Sequence, residues 1–307
     1  MPLEEILAAL EQHKVVYQHE AVDAAMAIPE EITPHLLRLL EKVRDKIGTY
    51  VEYPRYFGHY YAAYLLAVFQ EPQAHPLLLD LSSGPADLVD LLWNDTLTED
   101  LCAIFVKTYP GSWEGLKALV WNPEANDYAR VAALEAIQYL MLFGQIEKED
   151  VIDLCKALLQ DPAANGDNYL YSVAALVIHD VAPELAMAEV KQAYAQDLID
   201  PMLVRLQDFR TALTRSEAER RQKLEDDWER KEFETVHDVM AWWWCFKSEA
   251  EREEADRQLK ARLLAKKIQE GGNPIGFTPS SRPAAQPAPA LSTTPKKKKK
   301  KKTFMDL

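Results

Sequence analysis

In YPRYFGHYYAAY, five tyrosines, Tyr53, Tyr56, Tyr60, Tyr61 and Tyr64, crowd around His59. An imidazole oriented by a carboxylate and ringed by phenols can move protons, so His59 is the candidate acid or base of the chain. The same residues also build a packed helix whose polar tips reach the solvent edge. His179-Asp180 in VIHDVAPE is a second pair that could hold a metal or act as a base. At a helix end, however, an imidazole interacts favourably with the last carbonyls. Glu99 and Asp100 are adjacent and point to different sides, so they read as acids of a first helical turn rather than a facing pair.

Trp242-Trp243-Trp244 is unusual for a different reason. On a helix, three successive side chains spread over about 200°, too wide for one groove. Either the segment is enclosed by neighbouring helices, or at least one indole is an anchor for a protein partner, as Trp often is at interfaces. The last candidate is the run Lys296, Lys297, Lys298, Lys299, Lys300, Lys301 and Lys302. It reads as a polyanion contact for RNA or an anionic surface, as a contact for an acidic protein, or as solvated charge.

Several chemistries are missing from the pattern. There is no phosphate loop, GxSxG, HExxH or EF-hand sequence. Cys102, Cys155 and Cys245 lie far apart with no CxxC or Cys/His cluster, so neither a metal nor another cofactor is expected. Cys102 and Cys155 read as small core residues.

Helices must position these groups. Helical periodicity dominates and strand alternation is nearly absent. EEITPHLLRLLEKVRDKIG is expected to start with Thr33 as cap and Pro34 at the first position. It would bury Leu36, Leu37, Leu40, Val43 and Ile47 and end at Gly48. HYYAAYLLAVF stops before Pro72, and LTEDLCAIFVKTY runs from Thr98 to just before Pro110. SWEGLKALVW is capped by Ser112, and DYARVAALEAIQYLMLFG runs from an Asp127 cap to Gly144. Thr214 with Glu217, and Ser248 with Glu251, have the spacing of capping boxes. Ala pairs at 62–63, 132–133 and 174–175 recur mid-helix at intervals of 70 and 42 residues. Such spacing fits helical-hairpin repeats that pack closely through small residues.

EEITPHLLRLLEKV, HYYAAYLLAVFQEPQAHPLLLDL, LTEDLCAIF, NPEANDYARVAALEAI, EKEDVIDLCKALL and EVKQAYAQDLIDPMLVRLQDF resemble an uncharacterised bacterial family of short HEAT-like α-solenoids. The resemblance covers about residues 1–212. It implies a fold but no activity. Many members end in a SEC-C zinc motif. Here GGNPIGFTPSS stands at the comparable place with no cysteine after Cys245, so zinc is not implied.

The fold class expected is therefore all-α: a HEAT-like solenoid over 1–212, a charged helical extension with a Trp-rich helix over 213–271, and a Pro/Ala linker with the lysine tail over 272–307. Charge divides along the same line. The total is −14, residues 272–307 carry +7, and the first 271 residues carry −21. An acidic body repels nucleic acid and anionic lipid, so any such binding belongs to the tail. The longest apolar run, Tyr60–Phe69, is about half a membrane span, and an acidic N-terminus is wrong for a signal peptide. A cytoplasmic protein without an integral membrane segment is expected. Its function is expected to be non-enzymatic: an interaction or adaptor protein, the solenoid and Trp242–Trp244 engaging a protein partner and the tail adding charge. The alternative is an enzyme, a lyase or modifier of a protein-bound cofactor, with its site around His59.

Overall fold

Apolar runs too continuous to form one face decide where the centre of the molecule lies. The computed structural model describes residues 1–11, 15–52, 56–161 and 169–269. Within them every regular element is helical. α1 (Leu3–Leu10), α2 (His19–Met26) and α3 (Pro29–Asp45) lead into the short α4 (Ile47–Val51) and the apolar α5 (Gly58–Val68). α6 (Ala74–Ser82), α7 (Ala86–Trp93), α8 (Thr96–Glu99), α9 (Leu101–Lys107) and α10 (Glu114–Trp121) precede the long α11 (Asp127–Leu142). α12 (Lys148–Gln160), α13 (Tyr169–Val181), α14 (Met187–Ala195) and α15 (Asp208–Ala212) follow. α16 (Glu217–Lys231), α17 (Val236–Met240) and α18 (Glu249–Gln269) complete the order.

α5 is buried without interruption from Gly58 to Ala67, and α11 and α13 are buried over most of their circumference. The outer helices bury single stripes against them. α3 packs on α5, α10 and α9 on α11, α12 on α13, and α13 on α11. Among the described residues the most deeply buried charged side chain is Arg130 of α11, 1% exposed, and its Nε donates to the Val120 carbonyl at 3.0 Å while Nη1 meets Asp127 at 3.1 Å.

Helix ends depart from the expected residues for local reasons. α3 begins at Pro29, four residues before Thr33, because Pro29 fits the first turn, where no partner is needed for the missing N–H. Pro34 consequently sits inside the helix, and Leu39 rather than Leu37 joins the buried stripe. The helix ends at Asp45, and Gly48 lies within α4. Asp100 breaks the LTEDL helix into α8 and α9. Trp113, not Ser112, stands at the cap of α10. Asn126 rather than Asp127 caps α11, its Oδ1 accepting from the Tyr128 and Ala129 amides. The box at α16 is Ser216 with Glu219, not Thr214 with Glu217, since Thr214 Oγ1 is spent on the Thr211 carbonyl.

The chain divides into two units, Met1–Ala250 and Glu251–Leu307. α16 turns its thin stripe, Arg220, Leu224 and Trp228, onto α11 and α13. Trp228 lies 5.0 Å from Tyr139 and 5.2 Å from Phe143 between ring centroids. α17 packs on α2 and α5. The second unit contributes the rest of α18 to the described residues. No helix among the described residues is long and apolar enough to cross a membrane.

Candidate partner-binding surface

The segment that carries the three tryptophans is not one helix. Thr235 starts α17 with a capping box: its Oγ1 accepts from the Asp238 amide, and Asp238 Oδ2 accepts from the Thr235 amide at 2.7 Å. The helix ends at Met240 after five residues. Trp243 then takes extended backbone (φ −54°, ψ 134°), and Trp244–Phe246 form a single 3-10 turn. The expected Trp-rich helix is thus corrected. The extended link lets Trp243 turn inward while its two neighbours turn out.

Trp243 lies 5.2 Å from Tyr60 and 5.9 Å from Tyr64, both edge-on, and stacks on Phe246 at 5.7 Å. Phe246 in turn meets Phe57 at 4.9 Å and Tyr17 at 5.5 Å. These aromatic contacts fasten the segment to α5 and to the chain just before α2, adding offset and edge-to-face attraction to area burial. A polar chain fixes α17 to α2. Tyr17 hydroxyl and His237 Nδ1 are 2.9 Å apart, and His237 Nε2 and Asp23 Oδ1 are 3.0 Å apart. With Nε2–H donated to Asp23, Nδ1 accepts from Tyr17. His19 stacks on His237 at 5.4 Å. Nothing in the sequence signalled this chain, since Tyr17 and His237 are 220 positions apart.

Trp242 is 56% exposed and Trp244 49% exposed. Trp242 Nε1 donates to the Asp238 carbonyl at 3.0 Å, which fixes the ring against the end of α17. Lys247 Nζ lies 5.3 Å over the Trp244 ring, a cation–π contact. The surface therefore presents two indoles on either side of a third that is held from beneath.

His59 sits on the inner side of the same aromatic seam. It is 5% exposed, with Tyr56 stacked at 5.9 Å, Tyr60 at 4.1 Å and Trp93 edge-on at 5.7 Å. Nε2 donates to the Leu92 carbonyl at 2.8 Å, and Nδ1 is buried without a partner. Burial pulls its pKa down to about 4, against the opposing effect of the Leu92 bond. The ring is neutral at physiological pH. The tyrosine tips turn inward rather than to the solvent edge. Tyr64 donates to Asp100 at 2.6 Å, Tyr61 accepts from the Gln18 amide, and Tyr60 accepts from Asn94. Asp100 is thereby a buried acceptor rather than an exposed acid of a first turn. Tyr53 lies outside the described residues.

The remaining candidates separate. His179 Nδ1 lies 2.7 Å from Asp180 Oδ1, so the pair bonds to itself instead of to the last carbonyls of α13. Cys102 and Cys155 are free and buried. The seven lysines Lys296–Lys302, the linker and the place where the zinc motif would stand are outside the described residues.

A family profile described as "Protein of unknown function (DUF1186)" matches residues 1–247. It extends past the resemblance over 1–212 and takes in α16, α17 and the tryptophans. A Chlamydia trachomatis protein (serovar D, strain ATCC VR-885 / DSM 19411 / UW-3/Cx) described as "Uncharacterized protein" is 29% identical over 218 residues, which is 69% of this chain and 84% of that protein. A Chlamydia muridarum protein (strain MoPn / Nigg) with the same description is 29% identical, covering 69% of this chain and 85% of its own length. No solved structure matches. The matched span covers most of the chain, which belongs to the DUF1186 family.

Proposed function

We propose that this chain is a non-enzymatic interaction protein that grips a protein partner through Trp242 and Trp244. The observation that carries this reading is the pair of half-exposed indoles flanking the seated Trp243. Trp is enriched among the few residues that dominate binding energy, and a ring already fixed in place loses little entropy on docking. We read the helical body as a HEAT-like stack. In support, successive helices are packing neighbours, α10 with α11 and α12 with α13, and α11 also packs on α13, the next helix but one, as hairpins in such arrays do. The lysine tail would add electrostatic attraction to a polyanion or an acidic partner.

Affinity capture from a lysate of the source organism, followed by titration of the captured protein, tests the proposal. Trp242→Ala with Trp244→Ala should weaken that partner by about 30-fold or more, the scale of hot-spot loss. The melting temperature should not fall, because both rings are half in water. A partner held equally well by the double variant would sink the reading.

A further inference from the structure

On another face of the body, α16 closes over α11 and α13 and leaves a cavity of about 270 Å³. That is at the low end for ligand pockets, too small for a nucleotide cofactor and suited to a small metabolite. One wall is aliphatic: Val173, Leu176, Val177 and Leu224. The other is polar, with Glu135, Gln138 and Tyr139 from α11, Asp180 from α13, and Asp227 and Lys231 from α16.

Gln138 is 7% exposed and Tyr139 is 4% exposed, yet both line this space. Neither the Gln138 amide nor the Tyr139 hydroxyl has a hydrogen-bond partner among the described residues. Both polar ends keep some accessible surface, which fits atoms that face the cavity. Buried polar groups are normally paired, so two on one wall point to a guest that pairs them.

The surrounding charge narrows the class of guest. Lys231 Nζ pairs with Glu135 at 3.1 Å, Lys223 Nζ bridges Asp180 at 2.8 Å and Asp227 at 2.9 Å, and Arg230 also pairs with Asp227. Acids and bases alternate and balance. A bare anion or cation would leave one sign uncompensated, whereas a zwitterion meets both. Burial raises the Tyr139 phenol, and Cys102, Glu135, Asp227 and Asp180 nearby raise it further. Glu135, Asp180 and Asp227 line the same space as Tyr139, a setting for an ammonium group. Lys231 and Arg230 are placed for a carboxylate, and the aliphatic wall for an apolar side chain.

We propose that the cavity between α11, α13 and α16 binds a free aliphatic amino acid, with Gln138 and Tyr139 as its polar contacts. The site is separate from the Trp242 and Trp244 surface, and neither proposal depends on the other.

Isothermal titration of the full chain with L-leucine tests this, beside its two halves, isopentylamine and 4-methylpentanoate. Leucine should bind saturably and each half about tenfold or more weaker, since each lacks one charge-assisted contact. Tyr139→Phe and Gln138→Leu keep the shape and should each weaken leucine about tenfold while the protein still melts cooperatively. Should one variant fail to fold, the other and the half-molecules still decide. The proposal is overturned if leucine gives no saturable heat at about 10 mM, above the millimolar range of weak ligands. It is equally overturned if either half binds as tightly as leucine, or if both variants bind it unchanged.

Discussion

At the scale of single residues, the most informative group is His59, because burial gives it a measurable signature. Its folded pKa is pulled to about 4, and burial does the same to His75. An unfolded histidine titrates near 6.5. Between these values the unfolded chain binds more protons than the folded one, so stability rises with pH. The contribution is complete above about pH 6.5 and is lost as pH falls toward 4. For His59 alone the full shift corresponds to about 3 kcal/mol. Gln in its place keeps an N–H for the Leu92 carbonyl but does not titrate. Urea unfolding of wild type and His59→Gln at pH 7 and pH 4 should show the wild type losing about 3 kcal/mol more. Equal losses would mean that the ring is hydrated and protonates freely in the folded state. The same neutral, stacked imidazole explains why a ring of tyrosines in the sequence need not be a proton-transfer site. The hydroxyls of Tyr64, Tyr61 and Tyr60 are committed to Asp100, Gln18 and Asn94, and that of Tyr56 reaches Glu11.

At the scale of elements, three helices end in the same way. After α5, α11 and α14 the residue past the cap is left-handed: Gln70 at φ 53°, Gly144 at φ 71° and Asp197 at φ 56°. The next amide reaches back to the helix, Glu71 to Leu66, Gln145 to Leu140 and Leu198 to Ala193, which is the Schellman pattern. Only Gly144 adopts this conformation without a Cβ penalty. Gln70→Gly should therefore stabilise the protein and Gly144→Ala destabilise it, each by about 0.5–1 kcal/mol in thermal or urea melts. The same sign for both would remove this account of the caps. Gly144 was legible in the sequence, as were α5, α11 and α13, because long apolar runs bounded by Gly or Pro leave few alternatives. Caps were misplaced by one or two residues wherever two candidates adjoin, as at Asn126 and Asp127 or Thr214 and Ser216. The sequence shows which side chains can cap, not which hydroxyl is already engaged. The break at Asp100 and the inward turn of Trp243 were not legible. Each is decided by a contact distant in sequence, Tyr64 on Asp100 and Tyr60 on Trp243. The Tyr17–His237–Asp23 chain and the cavity under α16 were hidden for the same reason. Their residues become neighbours only once α16 and α17 fold back on the body.

At the scale of the whole molecule, charge separates the chain into parts with opposite preferences. Residues 1–271 carry −21 and residues 272–307 carry +7. At physiological salt the screening length is about 8 Å, so exposed charges more than a few residues apart act nearly independently. Attraction to a polyanion must then come from Lys296–Lys302, opposed by the rest of the chain. Seven contacts to single-stranded RNA would give a slope of log K against log salt near −5, at about −0.7 per contact. Replacing the seven lysines by Gln in the full chain should abolish RNA binding at low salt while leaving the melting temperature of the helical body unchanged. The alternative outcomes separate the physical causes. Binding that survives the substitution would place a basic surface on the acidic body, against its net charge. No binding by either protein would mean that the +7 segment is neutralised within the molecule or directed at a different kind of surface. Anionic lipid vesicles titrated in parallel distinguish those two cases, because lysines free to meet a surface gain about 1 kcal/mol each near such a membrane.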